Sequence, residues 1–251
     1  MKIPTLNLMP GEEYMTIIAM TFFAIFLSAC STFNEPGKHL FILSGQSNME
    51  GLQPNTSFIP TVKKAFGPDN VLIVKDAEGG QPIHRWYKGM TLLTAGKEQP
   101  VGDLYDRLMS KVRQAIKPVP IRTMTFVWMQ GEGDAYAESG DRYAVSLKGL
   151  IDQLRHDLGR QEVNVVIGRL SDFGGLSKKR ATHWTMIRNA QMAVARTDAR
   201  TVWVDTDDLN DGLNREGREI ENDIHYTKEG YKILGKRFAQ EAIQLIMEKS
   251  E

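Results

Sequence analysis

Two short segments hold the residue types that ester chemistry requires. Ser47 lies in GQSNM, residues 45–49, directly after the apolar run HLFILSG at 39–45. Small and polar neighbours there permit a sharp turn that exposes a hydroxyl and presents backbone N–H groups to an anion. A serine hydroxyl is a weak nucleophile until a base takes its proton, and the oxyanion that forms needs preorganised donors about 3 Å away. Among the five histidines, His225 is the one set in a polar turn, ENDIHYT, directly ahead of an amphipathic helical pattern. Its neutral imidazole can accept the Ser47 proton, with an adjacent carboxylate orienting the ring and stabilising the imidazolium. Each residue also has a plainer use when read alone. Ser47 fits a turn or helix cap, and Asp223 or Thr227 fits the cap of the last helix.

Other conspicuous side chains are weighed the same way. Glu132 and Asp134 are a carboxylate pair, but they sit two apart on a loop, and nothing in the sequence sets the separation that glycoside hydrolysis needs. Glu132 is expected instead to hold a buried loop by accepting hydrogen bonds. Arg85 and Trp86 are candidates for a sugar site, Trp86 stacking on a pyranose face and Arg85 contacting a carboxylate, against loop packing and solvation as the alternative. No metal is expected, because the histidines lack paired spacing and DTDDLND at 205–211 lacks the spacing and glycine of a calcium loop.

The elements that must position these residues follow from periodicity. HLFILSG, VLIVKD at 71–76, IRTMTFVWM at 121–129, VNVVIGRL at 163–170 and TVWVD at 201–205 are apolar runs of strand length without full polar alternation. Helical patterns separate them: Leu104, Leu108, Val112 and Ile116; then Tyr143, Leu147, Leu150, Ile151, Leu154 and Leu158; then 179–196; and finally Leu234, Phe238, Ala242, Leu245 and Ile246. Alternation of this kind predicts an α/β fold, a three-layer α/β/α sandwich around a mostly parallel five-stranded sheet. In such folds ligands bind beyond the carboxyl ends of the strands. GQSNME, EGGQPIHRW and QGEGDA each follow a strand, so all three are expected to face one crevice.

Taken together, GQSNM at 45–49, EGGQPIHRW at 78–86, WMQGEGDA at 128–135 and DIHYTKEGY at 223–231 resemble the carbohydrate-esterase branch of the SGNH hydrolases, which includes acetylxylan esterases and sialate O-acetylesterase-like proteins. The resemblance runs through nearly the whole chain after Lys38, in the family's order of blocks. It implies a flavodoxin-like SGNH fold and a serine esterase that removes O-acetyl groups from carbohydrate through an acyl-enzyme, without a cofactor. Ser47 is then the nucleophile and its own N–H a donor to the oxyanion. A backbone N–H of Gly79 or Gly80, with Gly80 favoured, is the second donor, and the Gln130 side-chain amide is the third. The last block departs from the commonest pattern, which has Asp three positions before His; that position is Asn222, and Asp223 sits two before His225. Asp223 is expected to be the acid, with Glu221 or one of Asp205, Asp207 and Asp208 as alternatives, and a Ser–His dyad assisted by a carbonyl as a further one.

The N-terminus carries the only long apolar run, TIIAMTFFAIFLSA at 16–29, which ends at the single cysteine, Cys30. It is short for a spanning helix and suits an export signal. Leu27–Cys30 resembles a bacterial lipobox, so residues 1–29 are expected to be a signal peptide, with Met15 as a possible start, and Cys30 the lipid attachment point. Residues 30–37 then form a tether and 38–251 one esterase domain, held outside the cytoplasm by a membrane anchor. Lys and Arg number 31, as do Asp and Glu, and the cations are dispersed, so no nucleic acid partner is expected. The expected partner is an acetylated glycan, and the oligomeric state is open. The competing function is a surface carbohydrate-binding lipoprotein whose esterase fold lacks activity; esterases acting on lipid, thioester or peptidoglycan acyl groups are further alternatives.

Overall fold

Gly45 explains how the segment bearing Ser47 is launched from the sheet. In the computed structural model, which describes residues 37–90, 93–94, 97–98 and 101–248, strand β1 (Lys38–Gly45) ends at a backbone φ of +143°. A Cβ at Gly45 would lie 1.9 Å from the Met129 carbonyl oxygen, so only glycine lets the two backbones approach this closely. The chain then turns, and the Gln46 N–H donates to that same carbonyl at 2.9 Å.

Strand β1 is an interior strand whose residues bury on both faces, Leu40 to Leu43 being fully inaccessible. It pairs in parallel with β2 (Val71–Ala77) on one side and β3 (Ile121–Met129) on the other, and β4 (Asn164–Gly168) and β5 (Thr201–Val204) extend the sheet in the order β2-β1-β3-β4-β5. The fourth strand is shorter than its apolar run. At Arg169 the backbone N–H still donates to the Val204 carbonyl at 3.0 Å, while the guanidinium ion-pairs with Asp205 and Asp207. In register, Gly45 stands opposite Ala77 and Met129, so the segments after β1, β2 and β3 leave the sheet at one level.

Seven α-helices accompany the sheet among the described residues: α1 (Ser47–Gly51), α2 (Phe58–Phe66), α3 (Asp103–Ile116), α4 (Glu132–Tyr136), α5 (Gly140–Leu158), α6 (Lys178–Arg196) and α7 (Lys228–Glu248). Their apolar stripes are the ones the periodicity predicts. Tyr143, Leu147, Leu150, Ile151 and Leu154 of α5 are buried, as are Leu234, Phe238, Ala242, Leu245 and Ile246 of α7. Each such large side chain contributes about 1.5–3 kcal/mol by leaving water. Helix α2 packs against α7 and α5 against α6, giving the three-layer α/β/α sandwich of an SGNH or flavodoxin-like hydrolase.

Two-residue ribbons pair Leu93–Thr94 with Lys97–Glu98 and Gly212–Leu213 with Glu219–Ile220. Neither is foreshadowed by the apolar pattern, nor is α2. Pro36–Glu251 forms one compact unit. The expected signal segment and Cys30 lie outside the described residues, as does the tether up to residue 36. Among the described residues no helix is long and apolar enough to cross a membrane.

Candidate active site

The polar residues on either side of Ser47 point into the protein, and this sets the direction of the serine between them. Gln46 is buried, and its Oε1 accepts hydrogen bonds from the Gly133 N–H at 3.0 Å, the Gly131 N–H at 3.4 Å and the Gln130 amide at 3.2 Å. Asn48 is also buried. Its Nδ2 donates to Glu132 Oε1 at 2.8 Å and to the Ile224 carbonyl at 2.9 Å, and its Oδ1 accepts from the Tyr231 hydroxyl at 2.9 Å. One amide thus joins the Ser47 turn to the segment after β3 and to the residue before His225. Ser47 opens α1 half-buried, and the capping position before it, Gln46, makes no side-chain cap bond.

The second block arrives from β2. A Cβ on Gly79 would meet Glu50 Oε2 at 2.8 Å and Ser47 Cβ at 3.5 Å, so the missing side chain permits backbone to lie beside the serine. Gly80 takes φ +71°, the left-handed region that favours glycine. The turn is held from behind, where Gln81 Nε2 donates to the Gly79 carbonyl at 3.1 Å and Gln130 Nε2 donates to the Gln81 carbonyl at 3.0 Å.

Gln130 is fully buried, and its amide also faces Asp134 Oδ2 at 2.6 Å. Its two amide hydrogens are therefore shared among three internal acceptors, Gln46, Gln81 and Asp134. Burial dominates the acids beside it. It raises Glu132 to about 7, against the Asn48 hydrogen bond and with a further push from Asp134. It raises Asp134 to about 6, against hydrogen bonds from Gln130 and the Ile83 N–H.

The last block closes the site. The Thr227 backbone N–H donates to the Leu209 carbonyl at 2.9 Å, Asn210 Nδ2 donates to the Asp223 carbonyl at 3.0 Å, and Thr227 Oγ1 accepts the Gly230 N–H at 2.8 Å. Thr227 therefore caps α7, leaving Asp223 free of that task. Asp223 Oδ1 accepts the His225 backbone N–H at 2.9 Å and stands 4.0 Å from His225 Nδ1. Both side chains are partly exposed, and among the described residues no hydrogen bond joins the ring to Ser47 Oγ. Asn222, where the commonest pattern has Asp, takes φ +46° and donates its N–H to Asp211 Oδ1 at 2.6 Å.

Two cavities meet at Ser47 and His225. One, of about 470 Å³, is walled by Gln46, Gly79, Gly80, Glu132, Gly133 and Tyr136 as well as the pair. The other, of about 330 Å³, lies under the 212–220 ribbon and is walled by Asn214, Arg215, Arg218, Ile220, Asp223 and Tyr231. Arg215 stacks over Tyr231, its guanidinium 4.3 Å from the ring centre.

The remaining candidates stand elsewhere. Trp86 is fully buried, edge-on to Trp128 with centroids 5.2 Å apart, so its face is closed to a sugar and its role is packing. Arg85 is engaged by Asp103 at 2.6 Å and by Gln81 at 2.7 Å. Asp205 and Asp207 pair with Arg169, Asp207 also with Arg188, and Asp208 with Arg237. Glu221 is exposed. Among the described residues no three His, Cys, Asp or Glu side chains are grouped to hold a metal. Sequence reasoning missed Gln46 and Asn48, although both lie within GQSNM; two amides flanking a serine after a buried strand was the available signal.

Comparison with known proteins shows which family the chain resembles. Residues 50–244 match the family described as carbohydrate esterase, sialic acid-specific acetylesterase. A protein of Arabidopsis thaliana named as a probable carbohydrate esterase is 25% identical over 218 residues, covering 85% of this chain and 72% of its own. An Arabidopsis thaliana crystal structure superposes with a TM-score of 0.62 at 21% identity, over 83% of this chain and 99% of its own. A structure described as a novel carbohydrate acetylesterase from Xanthomonas citri gives 0.62 at 17% identity, over 84% of this chain and 57% of its own. These superpositions show the shared fold, and the family match covers well over half of the sequence. The chain belongs to the SGNH-type carbohydrate esterases, in the sialic acid-specific acetylesterase family.

Proposed function

We propose that this chain is a serine esterase that releases O-acetyl groups from a carbohydrate through an acyl-enzyme. The observation that carries the reading is one cavity whose wall includes Ser47, His225, Gly79 and Gly80, at the carboxyl ends of two adjacent strands. His225 takes the Ser47 proton as Oγ bonds to the acetyl carbon. The carbonyl oxygen, now an anion, receives the Ser47 and Gly80 N–H groups. The bond from carbon to the sugar oxygen then breaks, and that oxygen takes the proton from His225. Water repeats the steps on the acyl-serine, releasing acetate and restoring the hydroxyl.

Asp223 is the acid that steadies the imidazolium. The Gln130 side-chain amide is the third donor, and its Nε2 also donates to the Gln81 carbonyl beside the glycine turn and to Asp134. The cavity under the 212–220 ribbon adjoins His225 and fits the sugar, the leaving group that His225 protonates. Export with lipidation at Cys30 completes the reading by placing the enzyme among exposed glycans, and the mass of the mature N-terminus checks it.

Acetate release from acetylated xylan and O-acetylated sialosides, compared between wild type and Ser47→Ala, tests the function. Turnover that disappears with the hydroxyl is the expected result. Glycan binding without Ser47-dependent turnover would instead make the chain a binding lipoprotein.

A further inference from the structure

Two neighbouring cavities beside the 212–220 ribbon differ in charge. The one with Ser47 and His225 in its wall sets Arg215 and Arg218 against Glu216 and Asp223. The other, of about 300 Å³, is walled by Gln53, Thr56, Arg215, Lys228, Tyr231 and Lys232, three cations and no carboxylate. Arg215 and Tyr231 belong to both walls, and the guanidinium lies over the ring, so this stacked pair stands between the two spaces. Helix stability does not call for these charges. Lys228 opens α7, where the helix dipole is positive and a cation is disfavoured, and Lys232 follows one turn later on the same face. Lys232 has Glu229 at 3.1 Å, whereas among the described residues neither Lys228 nor Arg215 makes an ion pair. The Arg215 side chain donates instead to the Gly51 carbonyl. Lys75 adds positive charge from behind, its Nζ donating at 2.5 Å to the carbonyl of Leu52, the residue before Gln53. Burial first and Arg215 second lower its ammonium pKa, with Glu50 opposing them.

We infer that the cavity walled by Arg215, Lys228 and Lys232 is a subsite for an acidic, carboxylate-bearing sugar unit adjoining the acetylated one, so that the substrate is an anionic oligosaccharide or polysaccharide. The inference rests on the esterase reading of the Ser47 cavity. Ser47 and His225 are absent from the subsite wall, so the unit bound there is not the one that loses its acetyl group. Arg215 presents a planar fork that matches a carboxylate, and the two lysines add point charges. Gln53 and Thr56 supply neutral donors and acceptors for sugar hydroxyls. The space is at the lower end of ligand sites, which run from about 300 to 1,000 Å³, as one sugar unit requires. The balanced charge beside His225 receives the neutral acetylated unit.

Acetate release from acetylated xylan oligosaccharides with uronic acid branches, compared with unbranched ones of the same acetyl content, tests the subsite. At low salt the full chain is expected to favour the acidic form in kcat/KM by about fivefold or more, chiefly through KM. That preference should vanish as the Debye length falls from about 30 Å at 0.01 M salt to about 3 Å at 1 M. Lys228→Gln and Lys232→Gln should each cut it about two- to fivefold, the scale of one exposed ion pair, and Lys228→Glu should cut it further. Equal kcat/KM for the two forms, or a preference that survives in Lys228→Glu, would overturn the proposal. So would the same Lys228 dependence on a monomeric O-acetylated sialic acid, which would place the anion on the reacting sugar. Lys228-dependent binding to anionic phospholipid vesicles, with no preference between the two glycans, would assign the cations to a membrane and overturn it as well. Calorimetric titration separates the two possible failures. Ser47→Ala should bind the acidic oligosaccharide more tightly than Ser47→Ala with Lys228→Glu, and that difference without acetate release by wild type would sink the esterase reading and leave the subsite.

Discussion

Asn222 and Asp223 show how one backbone angle redistributes roles in the loop before His225. Residue 222 is held at φ +46°, which Asn and Asp tolerate because a short polar side chain suits left-handed backbone. Its N–H is tied to Asp211, and the next residue has the carboxylate 4.0 Å from the His225 ring nitrogen. The competing acids after β5 are held by Arg169, Arg188 and Arg237. Asp223→Asn is therefore expected to lower kcat about 10²- to 10⁴-fold, the larger figure being the serine-protease example from which the expectation is scaled. Glu221→Gln should be nearly silent. Steady-state acetate release with folding checked by circular dichroism measures both, and wild-type kcat in folded Asp223→Asn would make the enzyme a Ser–His dyad. At this scale the sequence showed Ser47 and His225 because turn chemistry surrounds them. It hid the Asn48–Glu132 contact, whose partners are 84 positions apart, and the burial of Trp86, which depends on Trp128 arriving from another strand.

The elements were more legible than the contacts between them. Five strands and four long helices follow from apolar periodicity, because each buries a continuous stripe or run against the same core. What periodicity does not encode is the short helix α2 and the 212–220 ribbon, whose apolar residues are too few to set a period. Helix α7 also does more than fill the second layer. Its cap, Thr227, lies two residues after His225 and fixes the start of the helix through Gly230. Thr227→Ala is expected to cost about 0.5–2 kcal/mol of stability as a lost cap. It should also reduce kcat, because the loop bearing the base is anchored there, whereas Thr227→Ser keeps the hydroxyl and should restore both. Urea unfolding and acetate release on the same preparations give the two readouts.

Across the whole molecule, buried titratable groups set opposing demands on pH. The carboxyls of Glu132, at about 7, and Asp134, at about 6, lie above their ordinary values of 4.5 and 3.8, so the folded state holds protons that the unfolded chain releases. Their contribution to stability is full below the ordinary values and is lost as pH rises through the folded ones. His39 works in the other direction. Burial first, and Arg122 second, lower it from 6.5 to about 4, so its contribution is present above 6.5 and is lost as pH falls towards 4. Glu132→Gln removes one of these terms, and its unfolding midpoint should exceed that of wild type at about pH 8 and approach it at about pH 5. Calorimetry at the two pH values checks the sign, and a constant difference would show that Glu132 is not the group responsible.

Asn48 adds a consequence that concerns time. Its carbonyl partner, Ile224, is 176 positions away and its hydroxyl partner, Tyr231, 183. All five strands of the sheet precede them in the chain. During synthesis the sheet, Ser47 and the glycine turn are therefore available before His225 and the contacts that hold its loop. On the proposed esterase reading, the growing polypeptide stays silent towards esters until α7 has been made. On that reading the onset of activity reports that α7 has joined the sheet.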